Sequence, residues 1–118
     1  MTLADEIRAD YRRAFDEVGE VVYIRRYTGA GANPPFFDTA AKGRVTGYEP
    51  HELIGTIQQG DRKIVLLADD LIDAQFALPV TTNDRVVVRG EAMAIMAADD
   101  STRRVAGVLV AYELQVRG

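Results

Sequence analysis

The stretch Gly55–Gly90, GTIQQGDRKIVLLADDLIDAQFALPVTTNDRVVVRG, limits what this chain can become. It holds two apolar runs of strand composition, Lys63–Ala68 and Arg85–Val88, with a polar, proline-bearing connection between them. Turn formers bound both runs: Gln58-Gln59-Gly60-Asp61 before the first, Asn83–Asp84 before the second and Arg89–Gly90 after it. Short strands separated by turns point to a small antiparallel sheet, closed into a sandwich or a partly closed barrel.

The flanking segments fit that frame. Leu3, Ile7, Tyr11, Ala14, Phe15 and Val18 recur at steps of three and four, so residues 2–18 read as an amphipathic helix. Thr2 caps its start, Asp5 and Glu6 suit the positive end of its dipole, and Gly19 is placed for a left-handed C-cap. The apolar face either covers the barrel or docks on a neighbouring subunit. Glu20–Thr28 follows as a strand, with Arg25 and Arg26 on opposite faces. Gly29–Asp38 reads as a loop, because two glycines, Asn33-Pro34 and Pro35 oppose both helix and central strand. Its adjacent Phe36 and Phe37 either reach a neighbouring chain or tuck one ring into the domain's own core.

Lys42–Tyr48 is a strand, and His51–Gln58 continues as extended chain, so that Leu53–Ile57 can pair with Lys63–Ala68 as a hairpin. Asp69–Thr82 reads as a short helical turn followed by a proline-ended extended segment. Glu91–Ala97 is a strand with Met93 and Ile95 on one face, and Asp99–Arg103 is a turn. Val105–Val116 closes the chain as one long strand, apolar on both faces at its start and therefore central. The expected class is mainly β (α+β by content): a small β-barrel or sandwich of about six or seven short antiparallel strands with one N-terminal helix and long inserted loops. One domain, 1–118, is expected, with the helix at 2–18, a loop at 29–38 and a β core at 42–117.

Composition narrows the function classes. Lys and Arg number 14 against 18 Asp and Glu, a net charge of −4, which is the wrong sign for a protein that grips nucleic acid through its phosphates. The chain has no cysteine, so disulfide and thiolate chemistry is excluded. The longest apolar run, Ile64–Ala68, is far short of the roughly 20 residues that span a bilayer, and MTLADEIRADYRR contains no secretory h-region. Gly29-x-Gly31 lacks the third glycine of a dinucleotide fingerprint. Asp69, Asp70 and Asp73 lack the ligand count and central glycine of a calcium loop. The single histidine, His51, has none of the partners that a ligand or general base needs. The expectation is a protein without catalytic, cofactor-binding or metal-binding residues.

The order of segments in Arg44–Arg117 resembles a known family. An apolar strand, an aspartate-rich connection ending in Leu78-Pro79, the run Asp84-Arg85-Val86-Val87-Val88, the Arg89–Gly90 hairpin and a final strand after an Asp turn are similar to the small head–tail joining proteins of tailed, siphovirus-like bacteriophages and prophages. These are also called head-completion, head-closure or stopper proteins. QQGDRKIVLLADDL, within Gly55–Leu71, carries the resemblance most strongly. Asn83–Asp84 stands where the family usually has Gly-Asp.

The resemblance implies a structural virion protein, made in the bacterial host cytoplasm and residing in the neck. It would form a ring, commonly a hexamer, with the portal and adaptor above, the tail terminator and tail tube below, and packaged DNA in the channel without sequence-specific binding. No membrane, cofactor or covalent chemistry is involved. The loops Gly29–Asp38 and Asp69–Thr82 then supply candidate partner or channel contacts at Asn33, Phe36, Phe37, Asp69, Asp70, Asp73 and Phe76. Two alternatives stand beside it. One is an adjacent neck component, a mostly helical adaptor or an α/β tail terminator. The other is a small cellular ligand-binding or regulatory β-barrel, which would need a pocket with convergent polar groups.

Overall fold

The computed structural model describes residues 2–101 and 103–118. A 16-residue helix, α1 (Leu3–Val18), leads into β1 (Glu20–Tyr27) and β2 (Phe36–Gly47). A short 3-10 turn at Pro50–Glu52 precedes β3 (Arg62–Leu67), which runs directly into a second helix, α2 (Ala68–Asp73). The chain ends with β4 (Arg85–Val88), β5 (Glu91–Asp99), a ribbon of β6 (Arg104–Val105) and β7 (Val108–Leu109), and β8 (Ala111–Arg117). Six strands close a barrel in the order β1-β2-β3-β8-β5-β4, all antiparallel. The mainly β expectation holds, with the barrel closed rather than split into a sandwich.

Closure follows from the alternation of side chains. Val22 and Ile24 of β1, Ile64 and Leu66 of β3, and Tyr112 and Leu114 of β8 are almost wholly buried and meet in one core. Closure leaves the central strands without free edges, which is how short strands avoid edge pairing. β8 lies between β3 and β5 and is central, with Ala111, Tyr112, Leu114 and Val116 buried. The β5–β8 register shifts between Ile95 and Ala97, so Met96 is the extra residue of a bulge and stands 40% exposed.

Four expectations are corrected. Leu53–Ile57 forms no strand, because β2 and β8 occupy both sides of β3. The segment is instead tied to β8 through Thr56 O, which accepts from Gln115 Nε2 (3.2 Å) and Arg117 Nη2 (3.1 Å), two side chains that Asp61, 1% exposed, holds in place. Asp61 accepts from the Gln58 backbone N–H (3.0 Å), Gln115 Nε2 (2.9 Å) and Arg117 Nε (2.7 Å). Val105–Val116 is likewise not one strand. Ala106 and Gly107 have φ of 50° and 82°, the paired positive values of a tight hairpin turn, so β6 and β7 fold on each other before β8 begins.

Gly19 is extended, with φ −87° and ψ 173°, and is not a left-handed cap. Its glycine is needed for space: a Cβ there would lie 2.6 Å from the Phe15 carbonyl oxygen and 3.0 Å from that of Gly43. The fourth correction concerns α1, which packs through Ala4 and Phe15 while Leu3 and Val18 stand 62% and 56% exposed. Its packed side is completed by ions: Arg8 Nε lies 3.3 Å from Asp69 and Arg12 donates to Asp70 at 2.7 Å. Thr2 caps α1, sharing a reciprocal pair of bonds with Asp5.

Candidate functional site

The expected loop at Gly29–Asp38 is shorter than its composition indicates. β1 and β2 stay paired out to Tyr27↔Phe36, and Thr28 N–H donates to Pro35 O at 2.8 Å, leaving a tip that carries Asn33, which is exposed. Phe36 and Phe37 are therefore strand residues, 49% and 43% exposed. β-sheet alternation sends them to opposite faces. Phe36 lies outward, edge-on to Tyr27 at 6.0 Å, with the Arg25 guanidinium 3.8 Å from its ring centroid. Arg25 is held there by a two-pronged contact to Asp38, at 2.9 and 3.0 Å. Phe37 lies inward at the barrel mouth, 6.4 Å from Phe76.

The Asp69–Thr82 connection divides in two. Asp69 and Asp70 face α1 and serve as its ion partners, and Asp70 also accepts from Lys42 N–H at 2.7 Å. Asp73 is exposed at the end of α2. Phe76 is 6% exposed, so its ring belongs to the core rather than to a presented surface. Arg26 packs over that ring at 4.0 Å. Its guanidinium donates to both oxygens of Asp84 (2.9 and 2.8 Å), to Pro79 O (3.0 Å) and to Ala77 O. Asp84 in turn accepts from Thr81 N–H at 2.9 Å. The connection is thus clasped to β1 by one side chain.

The structure brings Phe36, Phe37 and Phe76 to the hairpin end of the barrel and leaves Asp69 and Asp70 on the α1 side. Reading the sequence missed Arg25, Arg26, Asp38 and Asp84. The available signal was the Arg25-Arg26 pair itself, since neighbouring arginines on a strand must serve two faces. Under the hairpin tip lies an open cleft of about 430 Å³, lined by Tyr27, Pro34, Asn83, Asp84 and Arg85 among others. A groove of about 440 Å³ runs between α1, β2 and α2, past Arg12, Val21, Ala40, Lys42, Asp70 and Asp73. Both are open, and neither places a nucleophile beside a base.

Charge at these places is paired. Hydrogen bonding to Asp70 raises the Arg12 guanidinium above its ordinary value, and Asp84 does the same for Arg26. The Arg117 fork holds the Asp61 carboxyl well below the usual range. Among the described residues, no group of three or more His, Cys, Asp or Glu could hold a metal ion, and His51 is exposed in the 3-10 turn. No helix among them is long and apolar enough to cross a membrane. No family model matches the chain, and no curated protein matches it.

Proposed function

We propose that this chain is a structural subunit of a phage head–tail joint, forming the head-closure ring that seals the filled head and docks the tail. One observation carries the reading beyond the resemblance. β2 runs from Phe36 to Gly47, but β3 joins it only from Gly43. The first seven residues of β2 therefore have no strand on their far side, and past the β1–β4 pairing at Tyr23–Arg25 the hairpin runs on through the Arg26↔Phe37 and Tyr27↔Phe36 pairs to its tip. A rigid closed barrel carrying a paired hairpin with an exposed aromatic and a Gly- and Pro-bearing tip suits a ring subunit that reaches a neighbour or the channel. The net charge of −4 suits a bore through which DNA must pass without sticking. Ring assembly and docking require no covalent chemistry.

Deleting the gene in a producing host and imaging the particles tests the proposal. Separate heads and tails, with heads that leak or lack DNA, are the expected result. Normal tailed particles would overturn it, and abnormally long tails would move the chain to the tail-terminator position. Complementation with Phe36→Ala should restore fewer joined particles than the wild type if the hairpin makes the contact.

A further inference from the structure

We propose that the free edge of β2 between Phe36 and Ala40 pairs antiparallel with the same edge of a second copy. The phase of hydrogen bonding identifies that edge. Thr28 N–H bonds to Pro35 O, and the β1–β2 register continues as 27↔36, 26↔37 and 25↔38. In an antiparallel ladder, bonded and non-bonded pairs alternate. The bonded pairs are thus 26↔37, 24↔39 and 22↔41, and Phe36, Asp38, Ala40 and Lys42 aim their N–H and C=O groups away from β1. Lys42 confirms the phase, because its N–H points outward to Asp70. β3 pairs with β2 only from Gly43 onward, so no strand lies beyond Phe36, Asp38 and Ala40 among the described residues. All three are exposed. Three successive outward backbone positions on an exposed strand form a template for a further strand.

The edge is complementary to itself. A two-fold axis at Asp38 sets Phe36 opposite the partner's Ala40 and Ala40 opposite the partner's Phe36, large against small in both places. All three opposed pairs then fall on outward-bonding residues, so each exchanges two backbone bonds. Directly opposed Asp38 carboxylates would repel, but each is held by its own Arg25 through two bonds, which leaves the centre of the pair neutral. Both ends limit the contact: Pro34, the next position in the outward phase, has no N–H to offer, and Lys42 N–H is already taken by Asp70. A five-residue, self-matched edge with neutral centre fits a second copy of this chain better than an arbitrary extended peptide. The pairing is two-fold and closed, so it belongs to the free chain in solution, and a copy built into a ring would release this edge.

Sedimentation velocity across the micromolar range, with residue-resolved amide exchange at low and high concentration, tests this. The wild type is expected to dimerise, and the amides of Phe36, Asp38 and Ala40 to gain protection as concentration rises. Ala40→Pro removes an outward N–H without touching the β1 ladder, and Ala40→Lys sets a charge against the partner's Phe36. Each should weaken dimerisation by about tenfold or more while circular dichroism and the melting temperature stay near wild type. Having two variants covers the case in which proline disturbs the hairpin. A wild type that stays monomeric, an assembly indifferent to Ala40→Lys, or a dimer in which those three amides stay unprotected would overturn the proposal.

Discussion

Replacing Arg26 with Gln should cost the domain about 3–5 kcal/mol, the range for removing one partner of a buried ion pair. Asp84 is 3% exposed and Arg26 22%, so water cannot replace the guanidinium cheaply. The substitution removes both bonds to Asp84 and those to Pro79 O and Ala77 O, together with the contact over Phe76. Arg26→Lys keeps the charge but cannot reach the carboxylate and the two loop carbonyls at once, and should cost about 2–3 kcal/mol. A urea titration reads both: with a slope of about 1–3 kcal/mol per molar, the Gln variant's midpoint should fall by about 2 M. A double-mutant cycle with Asp84→Asn should return a coupling energy above about 1 kcal/mol. The freed connection should also be cut faster by protease between Ala74 and Asn83. A Gln variant within about 1 kcal/mol of wild type would refute the idea that Arg26 clasps the connection.

Three further outcomes follow from the same structure. Asp61 titrates below its unfolded value of about 3.9, so its contribution is complete above that pH and is lost as pH falls through the folded value. Melting temperatures of wild type and Asp61→Asn taken from neutral to strongly acid pH should converge, and parallel curves would show that the carboxylate does not set the acid limb. Gly19→Ala should destabilise by about 1–3 kcal/mol in denaturant melts, because its Cβ would stand 2.6 Å from a backbone oxygen; an unchanged melt would mean that the α1–β1 junction shifts freely. Phe36→Ala should stay within about 1 kcal/mol of wild type, since half the ring is already in water, whereas a loss of about 3–5 would mean the ring is core.

Much of the barrel was legible because its strands carry their own punctuation. Arg85–Val88, Arg89–Gly90 and Glu91–Ala97 combine β-rich runs with a turn whose glycine has a φ of 82°. The same signal was present in Val105-Ala106-Gly107-Val108, but continuous apolar alternation on both sides made it read as one strand. Leu53–Ile57 failed for a different reason. Its composition permits a strand, but β3 has two sides, and more distant partners took both. Sequence cannot rank competing pairings whose decision lies in closing the barrel.

At the candidate site, the exposed Phe36 was visible as a large apolar residue beside turn formers. Phe37 and Phe76 were separable from it only once strand phase and the position of Arg26 were known. Asp69 and Asp70 read as candidate partner or channel contacts, yet they are spent within the domain on Arg8 and Arg12, about 60 residues earlier, a separation no local pattern reports.

Cryo-electron microscopy of purified virions, with mass spectrometry of the same particles, tests the central claim most directly. The account predicts that this chain is present in the particle and that the neck density holds a ring of closed six-stranded barrels between the portal region and the tail. Particles that lack the chain, or a neck filled entirely by other proteins, would contradict it.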